Sequence, residues 1–133
     1  MRFMLDTNTC VDVIRRRNDR VLRRMQRLRP GDLCVSSVTL SELEYGAAKS
    51  SDPQRNRLAL AEFMTPVSVL PYDDAAAPAY GRVRAELERA GTPIGPLDTM
   101  IAAQALSLGL ILVTDNEREF RRVSGLKVQN WTE

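Results

Sequence analysis

Short apolar runs alternate with stretches of helical periodicity along this chain. Runs of strand length cover residues 3–5, 33–36, 67–70 and 110–114, and a last one covers 126–130. Between them the spacing predicts helices over 9–17, 19–29, 38–49, 74–90 and 117–122. Another helix opens at Asp52-Pro53, a capping residue before proline at the first helical position, and is stopped by Pro66. The stiff stretch Thr92-Pro93-Ile94-Gly95-Pro96 delivers Asp98 to the first turn of a helix that Gly109 closes, as Gly91 closes the one before. In that helix Leu97, Ile101, Ala105 and Leu108 fall at i, i+4, i+8 and i+11, which predicts one buried stripe. Leu110–Val113 is apolar throughout, as a parallel strand covered on both faces would be. Strands alternating with helices predict an α/β fold: a three-layer α/β/α domain around a short, mainly parallel sheet. At 133 residues the chain makes a single domain, 1–133, with enough length for a real core.

Against that pattern, three acids stand at the edges of core segments. Asp6 follows Phe3-Met4-Leu5, Glu42 lies between Leu40 and Leu43, and Asp98 follows Gly95-Pro96-Leu97. A fourth, Asp115, comes directly after Leu110–Thr114. Carboxylates at the ends of parallel strands converge on the crevice where open α/β sheets bind ligands. Several anionic oxygens in one small pocket call for a cation, and hard oxygen donors favour Mg²⁺ or Mn²⁺. Each acid alone also has a structural explanation. Asp6 can cap the helix after it, Asp98 can favour its helix through the dipole, and Asp115 can sit in a turn. Thr7 and Asn8 after Asp6, and Thr114 and Asn116 around Asp115, are candidates for outer-shell or phosphate contacts.

Composition narrows the chemistry further. The chain has no histidine, which removes Ser-His-Asp and Cys-His nucleophiles and paired-histidine ribonuclease chemistry. Cys10 and Cys34 are too few for a disulfide scaffold or a zinc site and read as small buried hydrophobes. No apolar stretch nears the ~20 residues of a membrane helix, and the first strand leaves no room for a signal peptide, so a cytoplasmic protein is expected. Net charge is only +2, yet the basic residues are 17 Arg against 2 Lys. Arginine suits bidentate phosphate contacts; codon usage is the alternative source of the excess. Region 15–29 holds eight arginines and one acid, Asp19. On a helix Arg16, Arg20, Arg23 and Arg27 share a face, and with Arg24 they are the candidate RNA-backbone contacts, against the alternative of a solvated face.

Four segments in this order carry a resemblance over essentially the whole chain. They are Met4-Leu5-Asp6-Thr7-Asn8, the run from Ser36 through Glu42 to Gly46, Ile94-Gly95-Pro96-Leu97-Asp98 with Ile101-Ala102-Ala103, and Leu112-Val113-Thr114-Asp115-Asn116 near Phe120. The chain resembles a PIN-domain ribonuclease of the VapC toxin family. The resemblance implies a PIN-like fold and a Mg²⁺- or Mn²⁺-dependent endoribonuclease, toxin of a type II toxin–antitoxin pair. It further implies a dimer, and a VapB-type antitoxin that holds the enzyme inactive. Metal binding carries over to Asp6 and Asp98 with Glu42 as third acid, and the fourth place falls on Asp115 or Asn116.

With no histidine to act, a metal-activated water is the expected nucleophile, Glu42 serving as ligand or base and Asp115 tuning the position of metal or water. Few aromatics are available for stacking, so shape and phosphate recognition favour a structured RNA such as tRNA as substrate; with the resemblance to the toxin family, initiator tRNA is among the candidates. Two other classes stay open: a catalytically inactive PIN-like RNA- or protein-binding module, and a metal-dependent DNA nuclease. An aspartyl-phosphatase is disfavoured because position 8 is Asn where that chemistry needs a second Asp.

Overall fold

The computed structural model describes residues 2–133. Five parallel strands form one sheet: β1 (Phe3–Leu5), β2 (Leu33–Ser36), β3 (Ser68–Leu70), β4 (Ile111–Val113) and β5 (Lys127–Gln129), in the order β3-β2-β1-β4-β5. β1 lies at the centre, with Met4 opposite Cys34 on one side and Leu112 on the other. The chain therefore leaves β1 toward one edge and returns through β4 to the other. The strand order reverses beside β1, and at that point a crevice opens past the carboxyl ends of the strands. Asp6 is the first residue beyond β1, and Thr114 the first beyond β4.

Helices cover both faces, which completes the three-layer arrangement. On one face Phe3, Leu5 and Val35 pack against Cys10 and Val13 of α1 (Thr7–Ile14), Val21 and Met25 of α2 (Asp19–Gln26), Leu43 of α3 (Ser37–Ala48), and Leu60 and Phe63 of α4 (Pro53–Met64). On the other, Met4, Cys34 and Leu112 pack against α5 (Ala77–Arg89), α6 (Pro96–Leu108) and Phe120 of α7 (Glu117–Phe120). Both cysteines are free and buried, as the sequence suggests. No helix among the described residues is long and apolar enough to cross a membrane.

Local chemistry explains where the elements begin and end. α1 starts at Thr7 rather than residue 9, because the Asp6 carboxylate accepts the Thr9 N–H at 2.9 Å and caps it. It ends at Ile14, short of the expected residue 17. Arg16 takes a left-handed conformation (φ 55°), and the Arg17 N–H turns back to the Asp12 carbonyl, 2.8 Å away. Arg16 therefore sits in the turn and not on the helical face assigned to it beside Arg20, Arg23 and Arg27. The stretch expected as one helix over 74–90 opens as a 3₁₀ turn, Asp74–Ala76, capped by Asp73. The single stripe expected on α6 is also corrected. Ile101 and Ala105 are fully buried, but Leu97 and Leu108 are 43% and 50% exposed. α6 is enclosed along its middle, from Thr99 to Ala105, and its two ends project from the core.

Candidate active site

Asp6 is only 2% exposed and is held by its neighbours from both sides. One carboxylate oxygen takes the Thr9 N–H; the other takes the Thr114 hydroxyl at 2.5 Å. Thr114 in turn accepts the Asn116 N–H, so β4 and the turn after it orient the acid that β1 delivers. Burial raises the Asp6 carboxyl above its ordinary range, the hydrogen bonds from Thr114 and Thr9 oppose this, and the charge of Asp115 adds to it. The capping role and a place in the crevice thus fall on the same residue.

Glu42 reaches the same region from α3. Its Oε1 accepts the Thr7 hydroxyl at 2.7 Å, and that hydroxyl lies 3.2 Å from the hydroxyl of buried Thr39. Asp98 comes from the opposite layer, in the first turn of α6 behind the Gly95-Pro96 entry. Its carboxyl is raised from 3.8 to about 6, first by burial, then by the charges of Asp6, Glu42 and Glu119. The helix dipole alone would favour the charged form. Here burial and like charges outweigh it, opposite to the expectation from helix position.

Asp98 feels the charges of both Asp6 and Glu42, so the fold brings these three acids to one region. Asp115 joins through its effect on Asp6 but is itself exposed. Asn116 does something different: its Nδ2 donates to Glu119 Oε2 at 2.8 Å. Glu119, carried by α7, is the site residue that sequence reasoning missed. Its signal was the spacing Asn116-x-x-Glu119, which reads equally well as a capping box. Asn116 makes no such cap, and the pair face each other side chain to side chain. Asn8 is exposed, with no side-chain hydrogen bond among the described residues.

As placed, no three of these acids among the described residues form a ready ligand cage. The donor set is nevertheless carboxylate oxygen only, and among the described residues no cationic side chain offsets the raised proton affinity of Asp6 or Asp98. That chemistry fits a hard divalent cation of the Mg²⁺ or Mn²⁺ kind. Beside the crevice, Val11 and Ile14 of α1, Glu42, Leu43 and Gly46 of α3, and Leu60 of α4 line a half-open groove.

A five-stranded parallel sheet with acids gathered at its switch point defines a class, and residues 3–126 match the family model described as PIN domain. The chain belongs to the PIN-domain family, in its VapC branch. It is 50% identical over 132 residues to a tRNA(fMet)-specific endonuclease VapC of Shigella flexneri, with 99% of each chain covered. It is 47% identical over 131 residues to the protein of the same name in Salmonella typhimurium, with 98% of each covered. Among solved structures it superposes with a TM-score of 0.93 on a chain of the DNA-bound VapBC crystal structure from Salmonella typhimurium, at 46% identity and 98% coverage of both.

Proposed function

We propose that this chain is a divalent-metal-dependent endoribonuclease, the toxin of a toxin–antitoxin pair, and that it cuts a structured RNA, with initiator tRNA the favoured substrate. The observation that carries the chemistry is the field shared by Asp6, Glu42, Asp98 and Glu119 at the carboxyl edge of the sheet. The substrate follows from relatives at 50% and 47% identity whose names specify tRNA(fMet).

Asp6 and Asp98, with Glu42, would hold the metal, which supplies charge neutralisation and lowers the pKa of water at the scissile phosphate. The chain's own residues set the geometry. Thr9 and Thr114 fix both Asp6 oxygens, Thr7 fixes one oxygen of Glu42, and Asn116 fixes Glu119. Glu42 is the acid placed to accept a proton from attacking water, with Thr7 holding its direction. Asp115 tunes the charge at Asp6 from the exposed side. Asn8 is left as a phosphate contact at the rim.

Incubating the purified chain with total tRNA and Mg²⁺, then sequencing new 5′ ends, tests this reading. Attack by water gives 5′-phosphate and 3′-OH ends, and EDTA abolishes cleavage. Products ending in 2′,3′-cyclic phosphate, or full activity in excess EDTA, overturn the mechanism. Cleavage of single-stranded DNA with equal efficiency would favour the DNA nuclease instead.

The partner is a VapB-type antitoxin. Solved relatives include VapBC complexes, and the groove between α1, α3 and α4 sets Val11, Ile14, Leu43 and Leu60 among the polar Arg15, Ser50 and Asn56 and ends at Glu42. An antitoxin segment can place its apolar side chains there and extend an Arg or Lys toward the acids. The reading includes a toxin homodimer carried in a hetero-oligomer with the antitoxin and acting in the cytoplasm. Light scattering of the chain with and without antitoxin measures that stoichiometry.

A further inference from the structure

Arg20, Arg23, Arg24 and Arg27 stand at i, i+3, i+4 and i+7, and the structure gathers all four into one groove with Trp131 and Glu133. Their grouping sets these arginines apart, since no other groove among those described is lined by more than one arginine. Arg17, Arg82, Arg84 and Arg121 each face a carboxylate. Among the described residues none of the four groove arginines has such a partner. Arg20 donates instead to the Thr132 carbonyl and Arg23 to the Asp19 carbonyl, each at 3.4 Å. The Arg24 guanidinium lies over the Trp131 indole, 5.0 Å from the ring centre. These contacts aim three of the guanidinium groups, those of Arg20, Arg23 and Arg24, without a carboxylate to offset their charge; Arg27 lines the same groove.

Trp131 is 2% exposed and stands edge-on to Phe3, with ring centres 5.1 Å apart. It is a fixed floor beneath Arg24 and presents no open face to a base. A ligand meets the outer side of the guanidinium layer. Four like charges collected around one acid, Glu133, repel one another, and a polyanion relieves that cost. Planar forks held in fixed directions suit phosphate oxygens in particular.

The groove also has a structural link to the acids. Thr132 accepts from Arg20 and Asn18, while Asn130, two residues earlier, donates to Glu117 at the start of the helix that carries Glu119. From Asp6, α1 runs eight residues, roughly 12 Å, to the turn that leads into α2. α2, which carries the arginines, begins five residues after α1 ends, so the anchor lies away from the cleaved bond.

We infer that this groove is an RNA-backbone anchor: Arg20, Arg23, Arg24 and Arg27 bind phosphates of the substrate several nucleotides from the cleaved bond. The inference rests on the ribonuclease reading and adds where the folded RNA is gripped. To keep the two separable, tRNA binding is measured in EDTA with the Asp98→Asn chain over a range of salt concentrations. Adding Arg20→Gln and Arg24→Gln should raise Kd roughly ten-fold and lower the slope of log K against log salt by about 0.7–0.9 per arginine. Arg82→Gln, an exposed arginine elsewhere, should change neither. Unaltered Kd and slope in the double variant, at unaltered melting temperature, overturn the anchor. So does loss confined to duplex DNA or to the antitoxin while tRNA binds normally. Absence of metal-dependent cleavage by the unsubstituted chain would overturn the ribonuclease reading and leave this binding result to stand or fall by itself.

Discussion

At Asp98 two local effects oppose each other, and their balance gives a measurable pH dependence. Its place in a first helical turn favours the anion, but burial and three neighbouring acids push its carboxyl from 3.8 to about 6. Because the folded state binds this proton more tightly than the unfolded chain, the stabilising contribution is full below about pH 3.8 and is lost as pH rises through about 6. Without metal, Asp98→Asn should therefore raise the melting temperature by a few degrees at pH 7.5, and the gain should vanish near pH 4. Differential scanning at the two pH values checks this; an equal gain at both would remove the charge explanation. Cleavage should fall off below about pH 6 as Asp98 takes up its proton, and higher Mg²⁺ should move that fall to lower pH. Glu119→Gln should cost ten-fold or more in kcat/KM, because Asn116 holds that carboxylate toward the crevice, whereas exposed Asp115→Asn should cost less. The sequence made Asp6, Glu42 and Asp98 legible because each interrupts an apolar segment. Glu119 interrupts none, and its spacing from Asn116 mimics an ordinary helix cap.

Elements were readable where one local rule decided them. β1 carries its expected bounds, and β2 does too, because each is a short apolar run that ends at a capping residue, Asp6 or Ser36. α6 ends at Gly109, whose φ of 67° is the conformation that glycine adopts without strain. The ends of α1 were not readable: a functional acid doubles as its cap, and Arg16 takes a turn position for which glycine is the usual residue. Two glycines inside helices allow an element-scale test. A Cβ added at Gly46 in α3 or at Gly81 in α5 would meet nothing within 4 Å. Alanine at either should stabilise the chain by about 0.5–1 kcal/mol, through helix propensity. Gly46 also lines the groove between α1, α3 and α4, and Gly81 does not. Gly46→Ala should thus gain stability while weakening antitoxin binding, and Gly81→Ala should gain it with binding intact. Chemical denaturation paired with antitoxin titration separates the two, and equal antitoxin affinity in both variants would move the docking surface elsewhere.

For the whole molecule, tertiary packing builds three surfaces: the acids, the α1/α3/α4 groove that meets them at Glu42, and the arginine groove on α2. Each arginine and each acid is visible in the sequence; that Trp131 lies under Arg24, or that Leu60 of α4 walls a groove ending at Glu42, is set by contacts between distant segments. That arrangement carries a last prediction about control. An antitoxin whose Arg or Lys enters the crevice would neutralise the same carboxylates that a divalent metal would, so the two ligands oppose each other. Binding linkage is reciprocal: whatever factor the antitoxin takes from metal affinity, metal must take from antitoxin affinity. At constant ionic strength, replacing part of the monovalent salt by Mn²⁺ should weaken antitoxin binding, by about 1–3 kcal/mol at saturation if the coupling is of ordinary size. With Asp6→Ala and Asp98→Ala together, most of that dependence should disappear. Calorimetric titration of the antitoxin into the chain, with and without Mn²⁺, reads the coupling directly, and affinity indifferent to metal would mean that inhibition works by covering the crevice without a cation inside it. In cells, expression of the unpaired chain should arrest growth and the Asp6→Ala form should not. Unaffected growth with well-folded, well-expressed chain would remove the toxin role while leaving the nuclease chemistry to the cleavage assay.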